Sequence, residues 1–257
     1  MFFTDSVIIE DEEVTLALTE VRAKIAHLEP NTQTAYQSYI HRLGLDGSED
    51  ELEVANRIKR IPNVNSRRTI AIAMRSMFPE LKPYVRIEAS LPKVYDLDNV
   101  PMALAALQAD SEHKSKCIPG LLMGFGGLRI GEAIAITSND LVGNVLNVSK
   151  SRNSQGVIKA TKGHHGHVVL PGWLAEKLHD YPGTQRLPNS YYKWLRRNYS
   201  VTPHSLRHYY ATELINSGVN PEVVRRQLRH ANLTTTLQVY AQVKANDIES
   251  TIESVFG

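Results

Sequence analysis

Apolar positions in the first third of the chain recur every three to four residues, the period of a helix with one buried face. Val14, Leu18, Val21, Ile25 and Leu28 form the first stripe, which Pro30 interrupts. Asn31 or Thr32 can cap a second helix carrying Ala35, Tyr36, Tyr39, Ile40 and Leu43, and Gly44 and Gly47 end it. A third pattern covers Leu52 to Ile58. After Pro62 a fourth helix carries Ile70, Ile72, Met74, Met77 and Phe78. Together these predict a small unit of four helices. Between Leu81 and Asn99 the periodicity fades and Pro83 and Pro92 intervene, as in a linker.

A larger unit follows. It opens with a helix near Asp98 to Asp110, and the stretch Ile118 to Ile136 is too apolar on all sides to lie on a surface. Val145 to Ser149, Gly156 to Thr161 and Val168 to Leu170 read as strands of a short three-stranded sheet, separated by polar, glycine-containing turns. From Trp173 onward the pattern is helical again: Pro203 opens one helix, Gly218 closes it, and Asn220-Pro221 caps and opens the next. The fold class expected is mainly α, with boundaries at 1–82 for the helical unit, 83–97 for the linker and 98–257 for the second unit. No internal repeat or low-complexity tract is visible.

Composition narrows the setting. The 257 residues are 42% hydrophobic, enough for a core in each unit. The single Cys117 has no partner for an internal disulfide, no apolar run approaches the roughly 18 residues of a membrane span, and the acidic N-terminus is unlike a signal peptide. A reducing, cytoplasmic setting is the expectation. The net charge of +2 conceals blocks: twelve acids against Arg22, Lys24 and Arg42 up to Glu53, then Arg57, Lys59, Arg60, Arg67, Arg68, Arg75, Lys82 and Arg86 against Glu80. The basic run either tracks a phosphate backbone or is a solvated helix face.

Four separated pieces carry candidate chemistry: Gly127-Leu128-Arg129-Ile130-Gly131-Glu132, Thr161-Lys162-Gly163, His204-Ser205-Leu206-Arg207-His208, and Leu228-Arg229-His230 with Tyr240 ten residues on. Taken singly, each has a plain structural explanation. Arg129 with Glu132, and His204 with Arg207, are i, i+3 neighbours on a helix, and Tyr240 is flanked by Val239 and Ala241 like a core tyrosine. In combination their order and spacing, over roughly Asp96 to Val243, resemble the catalytic domain of the tyrosine recombinases, the phage-integrase family. Leu206 to Leu214, Gly218-Val219, Val223 to His230 and Tyr240 carry most of that resemblance, and the helix with Asn31-Thr32 and Ala35-Tyr36 resembles the family's N-terminal core-binding domain.

The resemblance implies a helical, SAM-like core-binding domain and a mostly helical catalytic domain with a small three-stranded antiparallel sheet and a C-terminal tail helix. It also implies a mechanism. Two guanidinium groups, Arg129 and Arg207, would grip the scissile phosphate and stabilise the charge that grows in the transition state, through paired hydrogen bonds that Lys cannot copy. Tyr240 would attack. A tyrosine with pKa near 10 is only about 0.1% phenolate at neutral pH, a deficit of roughly 4 kcal/mol, and His204 is the candidate base. Lys162 would protonate the departing 5′-oxygen and His230 would hydrogen-bond a phosphate oxygen. The product would be a 3′-phosphotyrosine, with no cofactor, metal or ATP required.

Family members usually have Gly before the His that here follows Arg229, and Lys159, Lys150 and Arg152 compete with Lys162 for the general acid. Histidines at 164, 165 and 167 also admit a zinc reading, against which stands the lack of a nearby Cys pair. The expected partner is double-stranded DNA carrying a core attachment site. Ile248, Ile252, Val255 and Phe256 give the tail one apolar stripe, which docks either on its own domain or on a neighbour in a DNA-bound homo-tetramer. The chain resembles a simple recombinase without an arm-binding domain, integrating a phage or mobile element. A chromosome-dimer resolvase, a type IB topoisomerase-like enzyme and a non-catalytic DNA-binding accessory protein are the alternatives.

Overall fold

A computed structural model describes residues 23–45, 48–89, 95–110, 113–161 and 165–230. The chain forms two compact units, Met1–Lys93 and Val94–Gly257.

In the first unit the described helices are α1 (Pro30–Leu43), α2 (Glu51–Lys59) and α3 (Val64–Met77). Their ends follow local chemistry. Pro30 supplies a preset φ in the first turn of α1, and Gly44, at φ 64°, closes it by donating its N–H to the last carbonyls. Asp50 accepts from the Glu53 N–H at 2.7 Å and Asn63 from the Ser66 N–H at 2.9 Å, each satisfying a helix-start donor. The apolar stripes meet in a core that includes Ile25, Ile40, Ile58, Ile70 and Met74. Most of the stripe predicted over Val14 to Leu28 lies outside the described residues.

The basic run of this unit is divided. Arg57 pairs with Glu49 and Glu53, each at 2.6 Å, and donates to the Leu43 and Gly44 carbonyls that end α1. Arg67 holds Glu88 through two bonds of 2.8 and 2.9 Å and reaches the Ile61 carbonyl, while Arg68 donates to the Glu88 carbonyl at 2.6 Å. Three of the eight cations, Arg57, Arg67 and Arg68, are thus structural ties within the unit. Lys59, Arg60, Lys82 and Arg86 are exposed.

In the second unit α4 (Val100–Ala109) and α5 (Lys114–Gly126) are followed by a short α6 (Ile130–Ala135). The apolar stretch 118–136 is therefore two helices. Gly127, at φ 65°, turns the chain between them where an added Cβ would lie 2.6 Å from Tyr210 and 2.8 Å from Leu228, so only glycine fits. α5 supplies the centre of the core with Ile118, Leu121, Leu122 and Met123, all at most 1% exposed.

The sheet departs from the three expected strands. β1 (Leu141–Val142), β2 (Val145–Val148) and β5 (Gly166–Val169) form an antiparallel sheet in the order β1-β2-β5, with Val145 opposite Val169 and Val148 opposite Gly166. β3 (Lys150–Arg152) and β4 (Ile158–Ala160) form a separate hairpin with Ser151 opposite Lys159. The strand expected over Gly156 to Thr161 thus pairs with β3. One extended segment, 145–152, serves both: Leu146 and Val148 point into the core, whereas β4 carries no buried residue and stands away from it. Gly131 lets α6 approach this hairpin, since a Cβ there would lie 2.5 Å from Ser151 Oγ and 2.8 Å from the Arg152 carbonyl.

The chain ends its described course in α7 (Gly172–Leu178), α8 (Pro188–Tyr199), α9 (Pro203–Asn216) and α10 (Pro221–Leu228). Thr202 caps α9 by accepting from the Ser205 N–H at 2.9 Å, and the Asn220 side chain accepts from the Glu222 N–H at 2.8 Å at the start of α10.

Candidate active site

Three backbone turns converge on one buried cluster of charge. Arg129 sits at the N-cap of α6 with extended backbone, and Glu132, at the third helical position, turns back to accept from the Arg129 N–H at 2.8 Å and from its guanidinium at 3.0 Å. Arg207 projects from the first turns of α9. Its guanidinium donates to the carbonyl of Gly127 and, at 2.7 Å, to that of Leu228, so one side chain bridges the α5–α6 turn and the end of α10. Arg229 follows α10 with φ 54° and donates to Glu132 at 2.5 Å.

The burial of these groups sets their electrostatics. Glu132 is 2% exposed, Arg207 8% and Arg229 7%, while the Arg129 side chain keeps 35% of its surface open. Burial pushes the Glu132 carboxyl up, but Arg229, the Arg129 N–H and the charges of Arg129 and Arg207 outweigh it and hold the group below its ordinary value. Burial pulls Arg207 down, and the like charges of Arg129 and Arg229 add to this against the pull of Glu132. A buried cation in that position gains strongly from an anion beside it.

The end of α10 is fixed twice. Arg229 donates its N–H to the Arg226 carbonyl at 3.0 Å and His230 to that of Arg225 at 3.1 Å, the pattern of a helix closed by a left-handed residue. Arg225, paired with Glu222, donates to the His230 carbonyl at 2.9 Å, so the His230 backbone is held on both sides. Gln227 docks α10 on the edge of β5, its amide donating to the Val169 carbonyl at 2.7 Å and accepting from the Val169 N–H at 3.4 Å.

His204 lies at the exposed start of α9, one turn before Arg207, where the helix N-terminus favours an anion. The Tyr95 ring packs tilted against that of His208 with centroids 4.5 Å apart and lies 6.5 Å from the His204 ring. Burial, aided by the nearby His204, holds the His208 imidazole below its usual pKa. Of the alternatives for the general acid, Lys150 is paired with Asp140 at 2.8 Å and Arg152 donates to the Thr184 carbonyl at 2.6 Å, so both are structural. Lys159 is exposed on β4. Lys162 and Tyr240, and with them the tail stripe, lie outside the described residues.

The structure thus brings Arg129, Arg207 and the Leu228-Arg229-His230 turn together. It adds two residues that spacing alone did not single out for a role. Glu132, an ordinary i+3 partner in sequence, is the hub of the cluster, and an acid at the third position after a helix start is the signal that could have marked it. Arg229, a departure from the expected glycine, keeps the left-handed turn and fills it with a third guanidinium. Among the described residues no three His, Cys, Asp or Glu side chains group as metal ligands, and no helix is long and apolar enough to cross a membrane.

The half-buried Arg129 and the buried Arg207 thus lie near one another, with the exposed His204 one helical turn before Arg207, a concentration of positive charge suited to an anion. Residues 93–247 match the model of the phage integrase family. The chain therefore belongs to that family, the tyrosine-type site-specific recombinases. Over 272 aligned residues it is 26% identical to the tyrosine recombinase XerA of Thermococcus onnurineus, covering 87% of this chain and 92% of that protein. It is 25% identical to XerD of Staphylococcus haemolyticus, covering 88% and 83%. The fold is that of the Tn1549 transposon integrase solved with transposon right end DNA, with a TM-score of 0.66 at 17% identity over 93% of this chain and 99% of that one. Lambda integrase bound to a core site superposes with a TM-score of 0.56 at 15% identity, over 93% and 95%.

Proposed function

We propose that this recombinase binds a core site in double-stranded DNA and exchanges strands for a mobile element through a 3′-phosphotyrosine on Tyr240. The observation that carries the reading is the bridging of Arg207 to the Gly127 and Leu228 carbonyls, which brings its charge within electrostatic reach of Arg129 and Glu132. Arg129 and Arg207 hold the two non-bridging oxygens of the scissile phosphate and stabilise the extra charge of the pentavalent transition state. His204 takes the Tyr240 proton, and His230 donates to a phosphate oxygen. Lys162 gives a proton to the departing 5′-oxygen, with Lys150 and Arg152 committed to Asp140 and the Thr184 carbonyl and the exposed Lys159 as the alternative donor. Phosphorus keeps its bond count: the bond to Tyr240 forms as that to the 5′-oxygen breaks, and reversal onto another 5′-hydroxyl completes exchange.

The helical unit at 1–82 acts as the core-binding domain and 98–257 as the catalytic domain; of the segment 83–97 between them, Val85 and Glu88 pack with the helical unit. The stripe Ile248, Ile252, Val255 and Phe256 docks on a neighbouring protomer in a homo-tetramer assembled on DNA in the cytoplasm. Likeness to a transposon integrase supports the mobile-element role.

Selection supplies the substrate for the test. Duplexes captured from a random library by the Tyr240→Phe protein are rebuilt with nicks at successive positions, so that the released 5′-hydroxyl fragment diffuses away and the adduct is trapped. Wild type should form a covalent protein–DNA species and Tyr240→Phe none. Equal adduct from both would refute Tyr240 as nucleophile.

A further inference from the structure

We infer that Arg229 is a positioning residue for strand cleavage: through Glu132 it fixes the guanidinium of Arg129 and keeps the buried cluster cationic enough to take a phosphate. The inference rests on the reading of Arg129 and Arg207 as the phosphate-binding pair and adds a third arginine that does not touch the reacting atoms.

Three observations converge on it. First, Arg229 occupies a backbone conformation that costs an L-residue with a side chain roughly 1 kcal/mol or more and costs glycine nothing. A residue with a side chain persists there only where the surroundings compensate, and beside the backbone bonds that close α10 its side chain makes contacts glycine could not. Second, that side chain is committed: it is 3% exposed, bonds Glu132 Oε2 at 2.5 Å and the Gln227 carbonyl at 3.1 Å, and packs its methylenes 3.4 Å from where a Cβ on Gly166 would stand.

Third, Glu132 divides its two oxygens between the arginines. Oε2 takes Arg229 and the Arg129 N–H, which leaves Oε1 to set the Arg129 guanidinium at 3.0 Å. Arg129, Arg207 and Arg229 against Glu132 leave the cluster at +2, the sum of three cations and one anion. Without Arg229 the sum is +1, and the buried carboxylate would compete with the phosphate for both remaining guanidinium groups.

The nicked duplex obtained by selection provides the assay, run in single turnover at saturating protein. Arg229→Gly should lower the cleavage rate by about 10- to 100-fold, less than the roughly 100- to 1,000-fold loss from removing a donor that touches a transition state. DNA affinity should stay within about twofold, because contacts along the rest of the duplex dominate it. Arg229→Lys, which keeps the charge on a single nitrogen in place of the planar fork, should recover part of the rate, and Arg229→Met should not. Thermal unfolding of each variant separates this from loss of fold.

Epistasis gives the second readout: if Arg229 acts through Glu132, adding Arg229→Gly to Glu132→Gln should slow cleavage little further. Fully additive losses, or a wild-type rate in Arg229→Gly, would overturn the inference while adduct formation by wild type still upheld the mechanism. Absence of a Tyr240-dependent adduct in wild type would instead overturn the mechanism beneath it.

Discussion

Replacing Glu132 by Ala removes the acceptor for three donors: the Arg129 N–H at 2.8 Å, the Arg129 guanidinium at 3.0 Å and the Arg229 guanidinium at 2.5 Å. Losing the helix-start bond alone costs about 1 kcal/mol. The larger effect comes from Arg229, only 7% exposed, which is left as a buried cation without its counter-charge. Breaking a buried pair from one side costs roughly 3–5 kcal/mol, and the two losses overlap because they share one carboxylate. We therefore expect a loss of about 3–5 kcal/mol. For a unit of this size each kcal/mol lowers Tm by about 2–4 °C, so the catalytic unit should melt roughly 10 °C lower.

Circular dichroism during thermal and guanidinium unfolding at pH 7 would measure this. Acid supplies a control with a definite sign. Because the native pKa of Glu132 lies below the unfolded value near 4.3, its stabilisation is complete above that value and is lost as pH falls through the native pKa. The gap between wild type and Glu132→Ala should be full at neutral pH and narrow progressively below about pH 4. A loss under about 1 kcal/mol at pH 7, or a gap that persists unchanged in acid, would show that Glu132 does not hold the cluster together.

Gly127→Ala should destabilise by about 2–4 kcal/mol in chemical denaturation, because the left-handed backbone and the contacts with Tyr210 at 2.6 Å and Leu228 at 2.8 Å penalise it together. Arg207→Lys should fold, yet cleave the nicked duplex at least about 100-fold more slowly in single turnover, since one ammonium cannot hold two carbonyls and a phosphate at once. In the helical unit, Arg60→Ala and Arg86→Ala should each reduce the salt slope of DNA binding by about one, as seen in titrations at several salt concentrations. Arg67→Ala should leave that slope unchanged while lowering the stability of the unit by about 1–2 kcal/mol, through loss of the Glu88 pair at 2.8 and 2.9 Å.

Much of the architecture is written in local pattern. The Gly44 stop of α1, the Pro203 start of α9 and the Asn220-Pro221 start of α10 are legible because caps and proline act within a few residues of themselves, whereas α1 begins at Pro30 with Glu29 as its N-cap, ahead of the Asn31 or Thr32 expected. Pairing of strands is not local in that sense. Val145 to Ser149 reads as a strand in sequence, but that the chain continues extended through Arg152, with one half meeting β5 and the other β4, depends on chain returning from elsewhere. The same limit split the stretch 118–136. Gly127 ends the first helix as a left-handed cap, and the reason no other residue fits there is the approach of Tyr210 and Leu228, neither a neighbour in sequence.

The sequence by itself determined the family, the helical class and the charged side chains that the chemistry needs, since order and spacing of residue types survive without any knowledge of contacts. Only the tertiary structure decided what each charge does. Arg67 and Arg152 look in sequence as available to DNA as Arg60, yet they are spent on Glu88 and on the Thr184 carbonyl. Glu132 and Arg229, ninety-seven positions apart, meet in one buried ion pair that makes sense of both. A charge acts according to its distance from other charges and from water, and those distances exist only once the chain has folded.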